Sequence, residues 1–105
     1  MPSPALTKEQ VVERLRSIRE PILALGVRRV ALFGSFVREE PRPDSDVDVL
    51  VEFDPERKSF DTFMALADLL EEVLQRRVEL VTTEALSPFI GPHILHEAED
   101  VVRAA

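Results

Sequence analysis

The sequence predicts an α/β (α+β) domain: a small mixed three-stranded sheet with helices on one face, in the order α-β-α-β-α-β-α. Three observations predict it. An apolar stripe at helical spacing leads directly into a short apolar run at Val27–Phe33, with Val30, Ala31 and Leu32 at its centre. Residues 46–53 alternate, with Val47, Val49, Val51 and Phe53 on one face and Asp46, Asp48, Leu50 and Glu52 on the other. A second, longer helical stripe, from about Ser59 to Gln75, separates that strand from a third at Val78–Thr82.

The elements follow in order. Residues 1–6 read as a flexible lead-in. Thr7 and Gln10 match a capping box, and Val11, Leu15, Ile18, Ile22 and Leu25 supply the helical stripe behind it. Pro21 removes an internal hydrogen bond and is expected to kink or split that helix near Arg19, and Gly26 is suited to stop it. Residues 35–40 have room for a turn or two of helix before the loop Pro41–Ser45. The stripe Phe60, Phe63, Met64, Ala67, Leu70, Val73 and Leu74 is expected to be core. A last helix is expected from about Pro92, with Ile94, Leu95, Ala98, Val101 and Val102 on its apolar side. The helix between strands two and three is long enough for a crossover, so those two should be parallel. Strands one and two, joined by about a dozen residues, are expected to be antiparallel neighbours. The resulting order is 1-2-3, with helices over the Val47/Val49/Val51 face and the Asp46/Asp48 face open to ligand.

At 105 residues the chain reads as one domain over 1–105, with one modest core and no second lobe. Hydrophobic residues at 45% and charged residues at 31% exclude disorder. No cysteine is present, which excludes disulfides and thiolate chemistry and suits a reducing cytoplasm. Residues 1–10 hold no apolar signal region, and no run approaches about 18 apolar residues, so neither a signal peptide nor a membrane span is expected. Thirteen basic against twenty acidic residues give a net charge of −7. Phosphate neutralisation needs the opposite balance, so nucleic acid is disfavoured as a partner and a basic protein is favoured.

The chemical signal is carboxylate. Asp46 and Asp48, two apart on a strand, leave the same face roughly 6–7 Å apart. Two such acids repel unless a cation sits between them, and a hard divalent ion suits carboxylate oxygen. Glu79, at the start of the third strand, is placed to offer a third carboxylate. Two metals about 3.5–4 Å apart could then clamp a triphosphate and an attacking hydroxyl. Taken alone, Asp-x-Asp is more often a solvated strand edge, but here the opposite face is wholly apolar. Gly34-Ser35 is the second signal. Glycine lets backbone pass close to a ligand, and Ser35 opens a short segment whose free N–H groups attract an anion. Alone it reads as a plain turn; beside the acids it reads as a phosphate cradle.

Gly34-Ser35, ten residues, then Asp46-Val47-Asp48 resembles the G-S-x10-D-x-D pattern of the DNA polymerase beta superfamily of nucleotidyltransferases. The stretches ALFGSFVREEPRPDSDVDVLVEFDP and RRVELVTTEAL resemble the minimal nucleotidyltransferases (MNT proteins) in particular, and the similarity runs from about Val11 to Val102. The resemblance implies the nucleotidyltransferase fold and a magnesium-dependent transfer of AMP from ATP, with two metal ions. Gly34 and Ser35 would hold the triphosphate, with Arg38 as a charge partner. Asp46 and Asp48 would hold the metals, and Glu79 would serve the metal and the acceptor hydroxyl. Two positions depart from the usual pattern: Glu79 stands where the family typically has Asp, and Glu39 where it often has Gly. The resemblance further implies an antitoxin that modifies a hydroxyl, typically of tyrosine, on a HEPN-type helical toxin. The alternative reading is a non-catalytic antitoxin or adaptor that neutralises its partner by binding alone. A small-molecule nucleotidyltransferase fits less well, because the chain lacks a lobe to hold the acceptor.

His93 and His96, three apart, have ligand-compatible spacing but no third nitrogen or sulfur ligand, and are read as surface or interface residues. Phe89 and Ile90 form a candidate apolar patch, with burial under the last helix equally open.

Overall fold

The computed structural model describes residues 7–34, 46–89 and 91–104. The lead-in over 1–6, the predicted helical stub over 35–40 and the loop Pro41–Ser45 lie outside the described residues.

Helix α1 spans Lys8–Ser17, and its predicted capping box is formed: Gln10 N–H donates to Thr7 Oγ1 at 3.1 Å and Thr7 N–H donates to Gln10 Oε1 at 2.9 Å. Pro21 has the predicted effect. The first helix is split at Ile18, and α2 runs Arg19–Ala24, so that Pro21 falls in its first turn, where a missing N–H costs least. Gly26 then reverses the chain with φ +89°. Strand β1 is Val27–Phe33, β2 is Val47–Phe53, helix α3 is Phe60–Leu74 and β3 is Val78–Thr82. A short 3-10 turn at Thr83–Ala85 leads toward helix α4, Gly91–Glu97.

The pairings are as predicted: β1 with β2 antiparallel, and β2 with β3 parallel through the α3 crossover. The strand count differs. The sheet has four strands in the order β3-β2-β1-β4. The last helix ends at Glu97, and Glu99–Arg103 forms β4, antiparallel to β1. The cause is local. Val101 and Val102 are adjacent, β-branched and both buried, which strict alternation forbids. The register shifts between Val30 and Ala31, so the ladder runs from Val102 to Asp100, and this irregularity turns both valines inward.

The core lies between the helices and the face carrying Val30, Leu32, Val47, Val49 and Val51, with Val11, Leu15, Leu66 and Leu70 packed on it. The buried α3 stripe is Leu66, Leu70 and Leu74, rotated from the predicted one. Phe60 is 77% exposed and Met64 40% exposed, which overturns their assignment to the core, whereas Phe63 is half-buried and packs against it as expected. Leucines at i, i+4 and i+8 bury a continuous ridge, and Phe60 and Met64 fall to one side of it. Helix α1 is stapled across the molecule by arginine. Arg14 donates to the Leu74 carbonyl at 3.3 Å, Arg16 to Val101 at 3.3 Å, and Arg19 to Arg103 at 2.9 Å. These bonds give the carbonyls ending α3 and β4 charged donors.

Candidate active site

Three predicted site residues converge at one end of the sheet because of register. Asp48 pairs with Phe33 across β1–β2 and with Glu79 across β2–β3. Residues paired directly across a sheet share a face, so Phe33, Asp48 and Glu79 form one row on the face opposite the core, with neighbouring strands about 4.8 Å apart. Asp48 is half-buried and Glu79 exposed. Asp46, also half-buried, sits one residue before β2 begins.

Gly34 follows β1 directly and has φ +75°, a conformation that L side chains rarely adopt. The missing side chain matters as much as the angle. A Cβ built on Gly34 would lie 2.9 Å from Asp48 Cγ and closer still to its Oδ2. The Asp48 carboxylate therefore occupies the space that any other residue at position 34 would fill. Glycine here sets both the direction in which the chain leaves β1 and the position of the acid.

Ser35 and Arg38, the other residues predicted for the triphosphate, and Glu39 lie outside the described residues. Among the described residues, no group of three or more His, Cys, Asp or Glu side chains is gathered closely enough to hold a metal by itself. The donors present are hard carboxylate oxygens at Asp46 and Asp48, the latter lodged against Gly34. That chemistry fits a hard divalent cation that completes its shell with phosphate oxygen and water.

The face is less open than expected. Ala31 and Leu50 share it with Asp48 and are buried, and further along it Arg29 pairs with Asp100. At the other end of the face Phe33 and Asp48 are half-buried and Glu79 is exposed. Phe33 is the residue sequence reasoning missed: it is half-buried beside Asp48, an aromatic at the site. Alternation carried the signal, since Val30 and Leu32 on the core face turn Phe33 to the other. His93 and His96 are both exposed, and so is Phe89, while Ile90 lies outside the described residues.

A mixed sheet with one helix-covered face, a strand leading into a positive-φ glycine, and aspartates at the start of the neighbouring strand define an α/β protein with an acidic site at one end of its sheet. Comparison with known proteins makes the class specific. The family model of the nucleotidyltransferase domain matches residues 8–101. The protein adenylyltransferase MntA of Thermococcus cleftensis is 39% identical over 93 residues, which cover 88% of this chain and 93% of that protein. A solved structure described as a "putative minimal nucleotidyltransferase" superposes with a TM-score of 0.69 at 38% identity, covering 84% of this chain and 93% of that chain. A chain from the complex of tri-AMPylated Shewanella oneidensis HEPN toxin with MNT antitoxin shares the fold, with a TM-score of 0.65 at 15% identity, over 93% of this chain and 74% of that one. The chain belongs to the nucleotidyltransferase-domain family.

Proposed function

We propose that this nucleotidyltransferase moves AMP from ATP to a hydroxyl, typically of tyrosine, on a HEPN-type partner protein, and thereby acts as its antitoxin. The observation that carries the reading is the Asp48–Glu79 pair, in register across β2–β3, with its carboxylate space kept by Gly34. The 39% identity to a protein adenylyltransferase supports the donor and the class of acceptor. The fold shared with the HEPN–MNT complex supports the kind of partner.

In this reading Asp46 and Asp48, with Glu79 beside them, would hold magnesium, which when bound offsets the triphosphate charge. Gly34 and Ser35 would present backbone to the phosphates and Arg38 would neutralise them. The acceptor hydroxyl oxygen bonds to the α-phosphorus as the bond to pyrophosphate breaks. The hydroxyl proton passes to a carboxylate, for which Glu79, at the exposed end of the row, is the candidate.

The test is co-expression with the HEPN-type partner followed by intact-mass analysis of that partner. Wild type should add one or more AMP masses, and the Asp46→Asn/Asp48→Asn variant none. Removing like charges from one face should leave stability without metal unchanged or higher. Full protection by the double variant, with no added mass on the partner in either case, would replace the enzymatic reading by neutralisation through binding alone.

A further inference from the structure

Strand β3 is an edge of the sheet, and the direction of its backbone groups is set by one bond. Val47 N–H donates to the Arg77 carbonyl at 3.0 Å. In a parallel ladder this turns residues 77, 79 and 81 toward β2 and residues 78, 80 and 82 outward. The first outward donor, Val78 N–H, is taken by the Glu71 carboxylate at 3.0 Å. Leu80 presents the next N–H and carbonyl to the open edge. Beside that edge lies an apolar groove of about 520 Å³ lined by Phe60, Phe63, Leu80, Val81, Thr82 and Ala85. Phe60, which the fold leaves 77% exposed, stands at this groove. A strand edge that no other strand pairs among the described residues, beside an apolar groove, is a template for an added strand.

Charge selects the occupant. Lys58 at the groove is already paired with Glu84, whereas Asp61 and Glu79 are exposed and have no salt-bridge partner among the described residues. A second copy of this chain would bring another net −7 onto the same acids. We infer that the β3 edge and the Phe60 groove dock an extended segment of the partner protein, apolar at its centre and basic at its flanks, which adds to the sheet beyond β3. This rests on the proposed transfer reaction and extends it. The added strand would lie about 4.8 Å from β3, so a hydroxyl residue paired with Glu79 would extend the Phe33–Asp48–Glu79 row. The docked segment then carries the acceptor to the candidate base.

The experiment uses Phe60→Asp, with Phe60→Ser as a milder companion, against the HEPN-type partner. Phe60 lies outside the core cluster, so thermal unfolding and ATP affinity should match wild type. Partner affinity should fall at least about tenfold, with the loss in KM and the rate at saturating partner retained, as expected when binding common to ground and transition states is removed. Wild-type affinity and transfer in Phe60→Asp would overturn the docking site while leaving the transferase reading intact. Binding lost in Phe60→Asp with no AMP added by wild type would uphold the docking site and remove the transferase reading. A wild-type dimer that Phe60→Asp converts to monomer, or no association of wild type with the partner, would overturn the proposal.

Discussion

Gly34 and Asp48 constrain one another: the acid holds its place because position 34 has no side chain. Gly34→Ala should therefore do two separable things. It should cost roughly 1–2 kcal/mol in urea denaturation, from an L residue forced into left-handed backbone. It should also lower AMP transfer by about 10²-fold, the scale on which a misplaced catalytic group acts. Equal losses in Gly34→Ala and in a Gly34→Ala/Asp48→Asn variant would agree with Asp48 as the group displaced. An active Gly34→Ala enzyme would remove that role. Glu79 makes the complementary case. Under the proposed reaction Glu79, at the exposed end of the row, would serve the acceptor, so Glu79→Gln should lower turnover by about 10²-fold or more and leave ATP affinity unchanged. Unchanged turnover would dismiss it as the base. Glu79→Asp restores the more usual acid and tests whether the longer side chain slows the reaction.

At the scale of elements, α3 does two jobs on different sides. Its leucine ridge closes the core, while Phe60 stands beside the β3 edge and, like Met64, lies outside the core. Leu70→Ala should cost about 2–5 kcal/mol by urea denaturation, as for other fully buried leucines. Met64→Ala should change little, because half-exposed side chains leave no cavity. Similar losses for both would mean that the predicted stripe, with Met64 inside it, is the buried one. Strand β4 explains why two arginines of the first two helices reach across the molecule. Arg16 and Arg19 end on Val101 and Arg103, and Lys8 pairs with Glu99, so the N-terminal helices hold the last strand against β1.

At the scale of the whole molecule, net charge bears on association. The net charge of −7 gives the molecule a long-range field that attracts a basic partner. Raising ionic strength from about 0.01 M to 0.15 M shortens the screening length from about 30 Å to about 8 Å. Association with the HEPN-type partner, followed by stopped flow, should slow by about tenfold or more over that range, with the dissociation rate nearly constant. A salt-independent association rate would remove charge steering from the account. No helix among the described residues is long and apolar enough to cross a membrane.

How much was legible in the sequence depended on how local the cause was. The capping box at Thr7, the split at Pro21, the reversal at Gly26 and the bounds of β1 and β3 each follow from a few neighbouring residues, and each was readable. Alternation placed Asp48 and the Val47/Val49/Val51 face correctly, and crossover length set the parallel pairing of β2 with β3. The spacing of Gly34-Ser35 from Asp46 and Asp48 carried the family resemblance. Tertiary structure decided the rest. Residues 99–103 carry helix-compatible apolar spacing, and they become a strand because β1 offers an unpaired edge that a register shift can match. Which side of α3 is buried depends on the sheet beneath it, since Leu66 and Ala67 are both apolar and only packing chooses between them. The contact between Gly34 and Asp48 joins residues fourteen apart, and the Asp48–Glu79 pairing joins residues thirty-one apart. The sequence named the chemical groups, because their types and spacing are local properties. Their meeting in one row is a property of strand register, which only the folded sheet sets.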